Sequence, residues 1–146
     1  MSVMKARAQP ALAFWSDDEP LECVARLPEA RDVVTFTFQA PSGALFAFRP
    51  GQFLTLELPV AGGPLHRTYT ISSSPSRPTS LTITVKAQEA SLGTRWMLEN
   101  LHPGARLRAI GPGGRFSCLE TPAKKHLFIS AGSGITPMMS MLTHMY

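Results

Sequence analysis

Short alternating segments separated by glycine and proline run through most of this chain, and they constrain its fold more than any other feature. Glycine contributes 11 and proline 13 of the 146 residues. Such frequent turn residues favour many short strands and argue against a helical bundle. With 44% hydrophobic and 16% charged residues, the chain has enough apolar material for a folded core. Its length fits one domain, with room for part of a second.

Six segments have the period-two alternation or the β-branched and aromatic content of strands. In the first, Leu21, Cys23, Ala25 and Leu27 are expected to share one face. A helix is predicted over 94–101, between the fifth and sixth segments. The segments predicted as strands are 21–27, 33–39, 52–58, 67–72, 81–86 and 106–110. This pattern predicts a mainly β fold, a small six-stranded antiparallel barrel with one short helix.

The last stretch follows a different pattern. Residues 126–130 form an apolar run of the kind that is buried on both faces in a parallel sheet. A glycine turn, Gly132-Ser133-Gly134, and a helical segment over 138–146 come next. Strand, glycine turn and helix in this order predict the first strand and helix of an α/β nucleotide-binding domain. A lone strand and helix cannot bury their own faces, so we expect the rest of that domain to lie outside these residues.

Three short motifs could bind a phosphate-bearing ligand. Arg67 offers a planar fork for phosphate, Tyr69 a ring that can stack, and Thr70 a hydroxyl. Ser91-Leu92-Gly93-Thr94 begins the predicted helix, where unpaired N–H groups favour an anion. The turn around Ser133 has the same potential. Each motif also has a plain alternative: an ordinary strand, a simple N-cap, or a glycine turn without a ligand.

The charge balance and the cysteines limit the function classes. A net charge of +4 and a pI near 9.5 favour anionic partners, so a basic barrel that binds single-stranded nucleic acid is one alternative. A barrel kept only for protein interaction is another. No apolar run reaches the length of a membrane span, and no histidine spacing indicates a metal site. Cys23 and Cys118, far apart in sequence, are expected to be free thiols of a cytoplasmic protein.

The motifs occur together and in order, and with them the chain resembles the ferredoxin–NADP reductase superfamily of flavoproteins. Within it, the chain looks most like the reductase components that serve hybrid-cluster proteins or Rieske-type oxygenases. The motifs that carry the resemblance are Pro50-Gly51-Gln52-Phe53, Arg67-Thr68-Tyr69-Thr70-Ile71-Ser72-Ser73, Val85-Lys86, Ser91-Leu92-Gly93-Thr94, Gly111-Pro112-Gly113-Gly114-Arg115-Phe116 and Gly132-Ser133-Gly134-Ile135-Thr136-Pro137.

The resemblance implies a domain plan and a function. A Greek-key barrel over 18–122 would hold FAD, after an N-terminal tail over 1–17. Residues 123–146 would begin an NAD(P)-binding domain that is incomplete here, so this segment alone would be incomplete for turnover. The whole enzyme would be an NAD(P)H-dependent oxidoreductase that takes hydride onto FAD and passes electrons to an iron–sulfur protein or domain. Because only two cysteines are present, a cysteine-ligated cluster would lie elsewhere.

The resemblance also implies roles for individual residues. Arg67, Ser91, Gly93 and Thr94 would contact the FAD pyrophosphate, while Tyr69 would lie against the isoalloxazine. Cofactor contacts are also expected from Thr68, Val85 and Lys86, the last two along the flavin edge. The residues expected at the reacting end of the ring are Thr70, Ser133 and Thr136. One departure stands out, because Ser91 occupies a position where the family usually has glycine; we expect a slightly different turn that still binds pyrophosphate.

Overall fold

The structure is a computed structural model that describes residues 12–146, and six antiparallel strands form its centre. Their order across the sheet is β4-β3-β6-β1-β2-β5. The strands are β1 (Leu21–Ala30), β2 (Val33–Gln39), β3 (Phe53–Leu58), β4 (Leu65–Thr70), β5 (Leu81–Lys86) and β6 (Arg106–Gly113). The mainly β fold with six antiparallel strands is therefore confirmed, and the predicted bounds of β2 and β5 match those observed.

The outer strands of this sheet, β4 and β5, meet and close it into a barrel. Ile71, directly after β4, forms an antiparallel bridge with Ile83 of β5. The Ser72 N–H then donates to the Thr82 carbonyl at 2.8 Å. Closure removes the exposed edges that an open sheet would present. It also brings the ends of β4 and β5 side by side, where the candidate binding residues lie.

Alternate side chains of the strands fill the barrel interior. Each fully buried Leu, Ile or Phe contributes about 1.5–3 kcal/mol relative to the same side chain in water. The largest interior side chains, all fully buried, are Phe36, Phe38, Phe46, Leu21, Leu54, Leu56, Leu58, Ile71, Leu81, Ile83, Met97 and Leu101. They come from β1, β2, β3 and β5, from Met97 of the helix that follows β5, and from three connecting positions, Phe46, Ile71 and Leu101.

Strand β1 departs from simple alternation after Cys23. Its pairing with β2 shifts between Cys23 and Ala25, which marks a bulge. Ala25 and Leu27 are therefore exposed, Leu27 at 59%, and the prediction that they share a face with Leu21 and Cys23 is wrong. One extra residue reverses the faces because the side-chain period of a strand is two.

Two helices accompany the barrel. Helix α1 (Leu92–Asn100) connects β5 to β6, and helix α2 (Ile135–Met145) follows a single 3-10 turn at Gly132–Gly134. No helix within residues 12–146 has both the length and the apolar character needed to cross a membrane.

Arg26 anchors the C-terminal end of α1 to the barrel. Its guanidinium lies over the Phe36 ring, 5.7 Å from the centroid. It donates to the Leu98 carbonyl at 2.8 Å and to the Leu101 carbonyl at 3.1 Å. Carbonyls at this end of a helix have no partner within the helix, so Arg26 satisfies them and fixes the position of α1.

The apolar run over 126–130 was predicted as a strand buried on both faces, and this prediction is wrong for the described structure. No strand forms there, and Leu127 and Ile129 are 85% and 78% exposed. A strand needs a neighbour for its backbone N–H and C=O groups. Among residues 12–146 no strand pairs with this run. The glycine turn and the helix predicted after it do form.

Helix α2 packs on the barrel even though no strand precedes it. Ser140 is fully buried, and its hydroxyl donates to the Ser73 carbonyl at 2.7 Å. Met138 and Met141 are buried on the same helix. These two methionines border residues 116–118, and the Met141 methyl lies close to Gly51, so they pack α2 on the barrel together with the Ser140 contact.

The segment before β1 contributes one anchor. Trp15 is buried, and its ring centroid lies 5.8 Å from that of Phe46. Phe14 remains 62% exposed and approaches Leu45 through a backbone bridge. Trp15 therefore packs this segment on the domain, whereas the Phe14 side chain stays in solvent. Residues 1–11 of the predicted tail lie outside the described residues.

Candidate functional site

Strand β4 carries four consecutive candidate residues, Arg67 to Thr70. Arg67 and Tyr69 lie opposite buried leucines of β3 in the antiparallel register. Thr68 and Thr70 project from the other face because side chains alternate along a strand. On that face the Thr68 and Thr55 hydroxyls are 2.9 Å apart.

Gly93 lets the start of α1 approach Arg67 closely. A Cβ placed on Gly93 would lie 3.3 Å from the side chains of Leu58 and Leu65, and 3.4 Å from the Arg67 Cγ. A side chain there would be in tight contact with these neighbours, which would have to shift to make room. The guanidinium of Arg67 is exposed and donates to the His66 carbonyl at 2.9 Å. A helix N-terminus and an available guanidinium in one corner suit a pyrophosphate.

Ser91 is the N-cap of α1. Its hydroxyl accepts from the Thr94 N–H at 3.4 Å, and the Thr94 hydroxyl accepts from the Gln88 N–H at 3.3 Å. Ser91 has φ −91° and ψ 110°, an extended conformation that any residue can adopt. Serine in place of glycine therefore introduces no backbone strain, and it adds a hydroxyl that competes for the Thr94 N–H.

Strand β5 presents alternating residues to the candidate site and to the core. Val85 is buried in the barrel interior, so only its backbone is open to a ligand. Thr84 is half-buried and Lys86 exposed, and both project from the outer face of the strand.

A cleft of about 540 Å³ joins these elements, a size within the range of ligand pockets. Six of the predicted residues line it: Thr68, Tyr69, Val85, Lys86, Thr94 and Ser133. They come from β4, β5, α1 and the 3-10 turn before α2. Residues far apart in sequence therefore converge on one concave surface.

The other predicted residues lie around this cleft. Arg67, Ser91 and Gly93 form the corner where α1 begins. Thr136 borders adjoining recesses, and its hydroxyl donates to the Ser133 carbonyl at 3.0 Å. Thr70, half-buried at the end of β4, borders neither the cleft nor the adjoining recesses, and the same is true of the three corner residues.

Two residues that the sequence reasoning missed also line the cleft, Thr84 and Gln88, together with Gly132 of the predicted glycine turn. Thr84 had a usable signal, because alternation puts it on the same face of β5 as Lys86. Gln88 lies in the connection between β5 and α1, where no periodicity indicates which way a side chain points.

Tyr69 gives the cleft a neutral aromatic wall. Burial raises the pKa of its phenol above the ordinary value of 10.0, and the positive charge of Arg67 partly offsets this effect. The half-buried ring packs against the core. Neutral at physiological pH, it can lie against a flat heterocycle and donate its O–H.

Metal ligands are not grouped in the described part of the chain. No cluster of three or more His, Cys, Asp or Glu side chains among residues 12–146 is placed to hold an ion. Cys23 and Cys118 are free and buried, as predicted for free thiols.

Comparison with known proteins identifies a family, two relatives and a solved structure that all belong to oxidoreductases. Residues 21–118 match the family of oxidoreductase FAD-binding domains. The chain is 73% identical over 135 residues to the reductase subunit of a stachydrine N-demethylase from Rhizobium meliloti, covering 92% of this chain and 38% of that protein. It is 48% identical over 128 residues to a glycine betaine monooxygenase reductase subunit from Pseudomonas aeruginosa, covering 87% and 35%. The structure of phthalate dioxygenase reductase shares the fold, with a TM-score of 0.70 at 24% identity over 90% of this chain and 41% of that one.

The barrel and its cleft thus define a flavoprotein oxidoreductase domain. The chain belongs to the oxidoreductase FAD-binding domain family, and FAD is its cofactor. It spans less than two fifths of the length of the two curated relatives.

The residues present fit FAD. Gly93 lets the start of α1 pack closely beside Leu58, Leu65 and Arg67, which brings the N–H groups of the first helical turn and the Arg67 guanidinium to one corner, a pairing that suits a pyrophosphate. Tyr69 offers the aromatic wall that an isoalloxazine needs, and threonine and serine hydroxyls supply hydrogen-bonding groups along the cleft.

Proposed function

We propose that this chain is the flavin-binding part of an NAD(P)H-dependent oxidoreductase that takes hydride onto FAD and passes electrons to an iron–sulfur acceptor. In this proposal residues 18–122 are the FAD-binding barrel, 1–17 a tail, and 123–146 the beginning of the NAD(P)-binding domain. The observation that carries the proposal is the convergence of Tyr69, Lys86, Thr94 and Ser133 on one cleft beside the Arg67–Gly93 corner.

The proposal assigns the residues of the corner to the pyrophosphate of FAD. Arg67 provides a charge-assisted contact, and the N–H groups at the start of α1 provide neutral ones. Gly93 permits the approach, while Ser91 and Thr94 form the cap that orients this first turn.

The proposal assigns the remaining residues to the isoalloxazine. Tyr69 lies against the ring, Val85 and Lys86 flank its edge, and Thr68 supports the wall through its contact with Thr55. Bound there, FAD supplies the redox chemistry, because a flavin accepts a hydride and can release electrons singly.

The hydroxyls of Thr70, Ser133 and Thr136 are assigned to the reacting end of the cleft. Ser133 and Thr136 are joined by a hydrogen bond and sit at the start of α2, which Ser140 fixes to the barrel. These groups can hold a nicotinamide and the ring in register, and positioning of this kind is the protein's part in hydride transfer.

The acceptor is proposed from the relatives. Two are named as reductase subunits, one of a stachydrine N-demethylase and one of a glycine betaine monooxygenase. Phthalate dioxygenase reductase is described as a modular structure for electron transfer from pyridine nucleotides to [2Fe-2S]. We propose that this chain likewise serves the oxygenase component of such a system through an iron–sulfur centre. The family match gives no support to binding of single-stranded nucleic acid.

Electron transfer to an iron–sulfur protein tests this function. The FAD-loaded chain is photoreduced without oxygen and mixed with an oxidised [2Fe–2S] ferredoxin, whose visible spectrum is followed. We expect the ferredoxin to be reduced faster than by the same concentration of free photoreduced FAD. Equal rates for bound and free flavin would contradict the assigned role.

A further inference from the structure

A row of hydrogen-bonded side chains crosses the outer face of the barrel beside the cleft. Glu29 Oε1 accepts from the Thr35 hydroxyl at 2.8 Å, and the Thr35 and Thr84 hydroxyls are 2.9 Å apart. The Thr84 and Ser72 hydroxyls are 3.2 Å apart, and the Ser72 and Thr82 hydroxyls are 2.6 Å apart. We call these five residues the hydroxyl row.

The fold brings this row together from distant parts of the sequence. Thr35 of β2 lies directly opposite Thr84 of β5 in the antiparallel register. Ser72 joins them because closure of the barrel pairs its backbone with that of Thr82. Glu29, near the end of β1, reaches Thr35 across the β1–β2 pair.

The row connects solvent with the cleft. Glu29 is exposed, whereas the four hydroxyl residues are half-buried. They line a recess of about 350 Å³ that is covered by Ile135, Thr136 and Met139 of α2. Thr84 borders both this recess and the cleft that contains Tyr69 and Ser133.

The row has one hydrogen for each of its four contacts when Glu29 is ionised. Each hydroxyl can donate a single hydrogen, and Thr35 donates to Glu29, so the other three contacts are satisfied when every hydroxyl turns toward Glu29. A proton on Glu29 reverses this order, since the carboxyl would donate to Thr35 and Thr35 to Thr84. The row can therefore take up a proton at its exposed end and turn each hydroxyl inward.

We propose that the hydroxyl row is a proton relay between solvent at Glu29 and the cleft at Thr84. The inference rests on the proposed function, because a flavin reduced to its neutral hydroquinone takes up a hydride from NAD(P)H and one proton from solvent. Glu29 receives the solvent proton, and each O–H bond along Thr35 and Thr84 breaks as the next one forms. One proton leaves Thr84 toward the cleft for each one that enters at Glu29.

Glu29 is the acidic residue among those that line the recess, and the other charged groups near the row lie on β5 or just beyond the end of β1. Arg31 follows Glu29 by two residues in the sequence and contacts Asp32, and Asp32 also pairs with Arg95. On β5, Lys86 follows Thr84 by two residues and borders the cleft. The residues of α2 that cover the row, Ile135, Thr136 and Met139, carry no charge.

An NMR titration of the chain without FAD tests whether the row is connected. The Glu29 carboxyl carbon and the Thr84 methyl group are followed as the pH is varied. We expect Thr84 to shift with the same midpoint as Glu29, and this shift to vanish in Glu29→Gln, whose amide donates to Thr35 at every pH. In Thr35→Val, Glu29 should still titrate while Thr84 no longer follows it.

The matched control for the titration is Thr37→Val, the same substitution on the same face of β2 outside the row. It should leave the coupling between Glu29 and Thr84 intact. A Thr84 methyl that ignores Glu29 in the wild type, or still follows it in Thr35→Val, would overturn the relay.

A second experiment follows the proton itself. The FAD-loaded chain is reduced in weak buffer by a small dihydronicotinamide, with a pH-indicator dye present. In the wild type, Glu99→Gln and Thr37→Val, proton uptake should keep pace with flavin bleaching. In Glu29→Gln and Thr84→Val, uptake should lag by about 10²-fold, the lower end of what proton transfer by a positioned group provides.

The outcomes separate the two proposals. Uptake that keeps pace in Thr84→Val would overturn the relay and leave the flavin function standing. If the wild-type chain takes up no FAD, the proposed function and the relay both fail.

Discussion

At the scale of single residues, Arg67 and Gly93 act as a pair at the corner of the cleft. Arg67 carries the positive charge. Gly93 lets α1 pack close to it, because a side chain at this position would contact Leu58 and Leu65. The sequence pointed to both positions, but only as members of separate motifs. Their proximity depends on how α1 packs on β4, and no local pattern encodes that packing.

Arg67→Ala should weaken FAD binding about 10- to 100-fold, because a hydrogen bond to a charged group contributes about 1.5–3 kcal/mol. Fluorescence titration with FAD measures the change. Arg108→Ala is the matched control, since Arg108 lies on β6 opposite Glu57 and borders a different recess. Equal affinities for both variants would refute the role given to Arg67.

At the scale of elements, two contacts hold α2 against the barrel. The Pro50–Gly51 turn leads into β3 and packs under residue 116 and α2, and Ser140 ties α2 to the end of β4. Both contacts join parts of the chain that are distant in sequence.

Gly51→Ala should lower the free energy of unfolding by about 3 kcal/mol or more, because strain at positive φ adds to overpacking. Gly51 has φ +97°, and a Cβ there would overlap the Phe116 carbonyl oxygen and lie 2.7 Å from the Met141 methyl. Gly43→Ala is the control: φ is +79° with nothing within 4 Å, so we expect about 1 kcal/mol. Urea denaturation compares them, and equal losses would show that the close packing under Gly51 is unimportant.

Ser140→Ala should destabilise the chain by about 1–3 kcal/mol, since it leaves the Ser73 carbonyl without its partner. Hydrogen exchange should then show less protection in α2 than in the wild type. Thr143→Ala removes a hydroxyl that bonds within the same helix, to the Met139 carbonyl at 2.7 Å, and should have a smaller effect. Unchanged exchange in Ser140→Ala would mean that α2 is held by its methionines alone.

Local patterns predicted most of the elements, and the two failures have one cause. The strands form where alternation lets one face pack into the barrel. The bulge at Cys23 and the absent strand over 126–130 depend instead on what lies beside the segment. Pairing partners are a property of the whole fold, so they could not be read from either segment.

At the scale of the whole molecule, barrel closure creates the site. Because β4 and β5 are joined through Ile71 and Ile83, the ends of both strands face α1 and the turn at Gly132–Gly134. The order of motifs along the chain predicted which residues take part. It did not predict that Thr70 borders none of the described spaces or that Thr84 links two of them, since both facts depend on how the strands twist and meet.

FAD uptake by the purified chain is the most direct test of the central claim. The chain is incubated with FAD, separated from free ligand, and examined by visible spectroscopy and thermal unfolding. We predict a yellow protein with one flavin per chain and a higher melting temperature, since a ligand that binds only the folded state stabilises it. A colourless protein with an unchanged melting temperature would contradict the account.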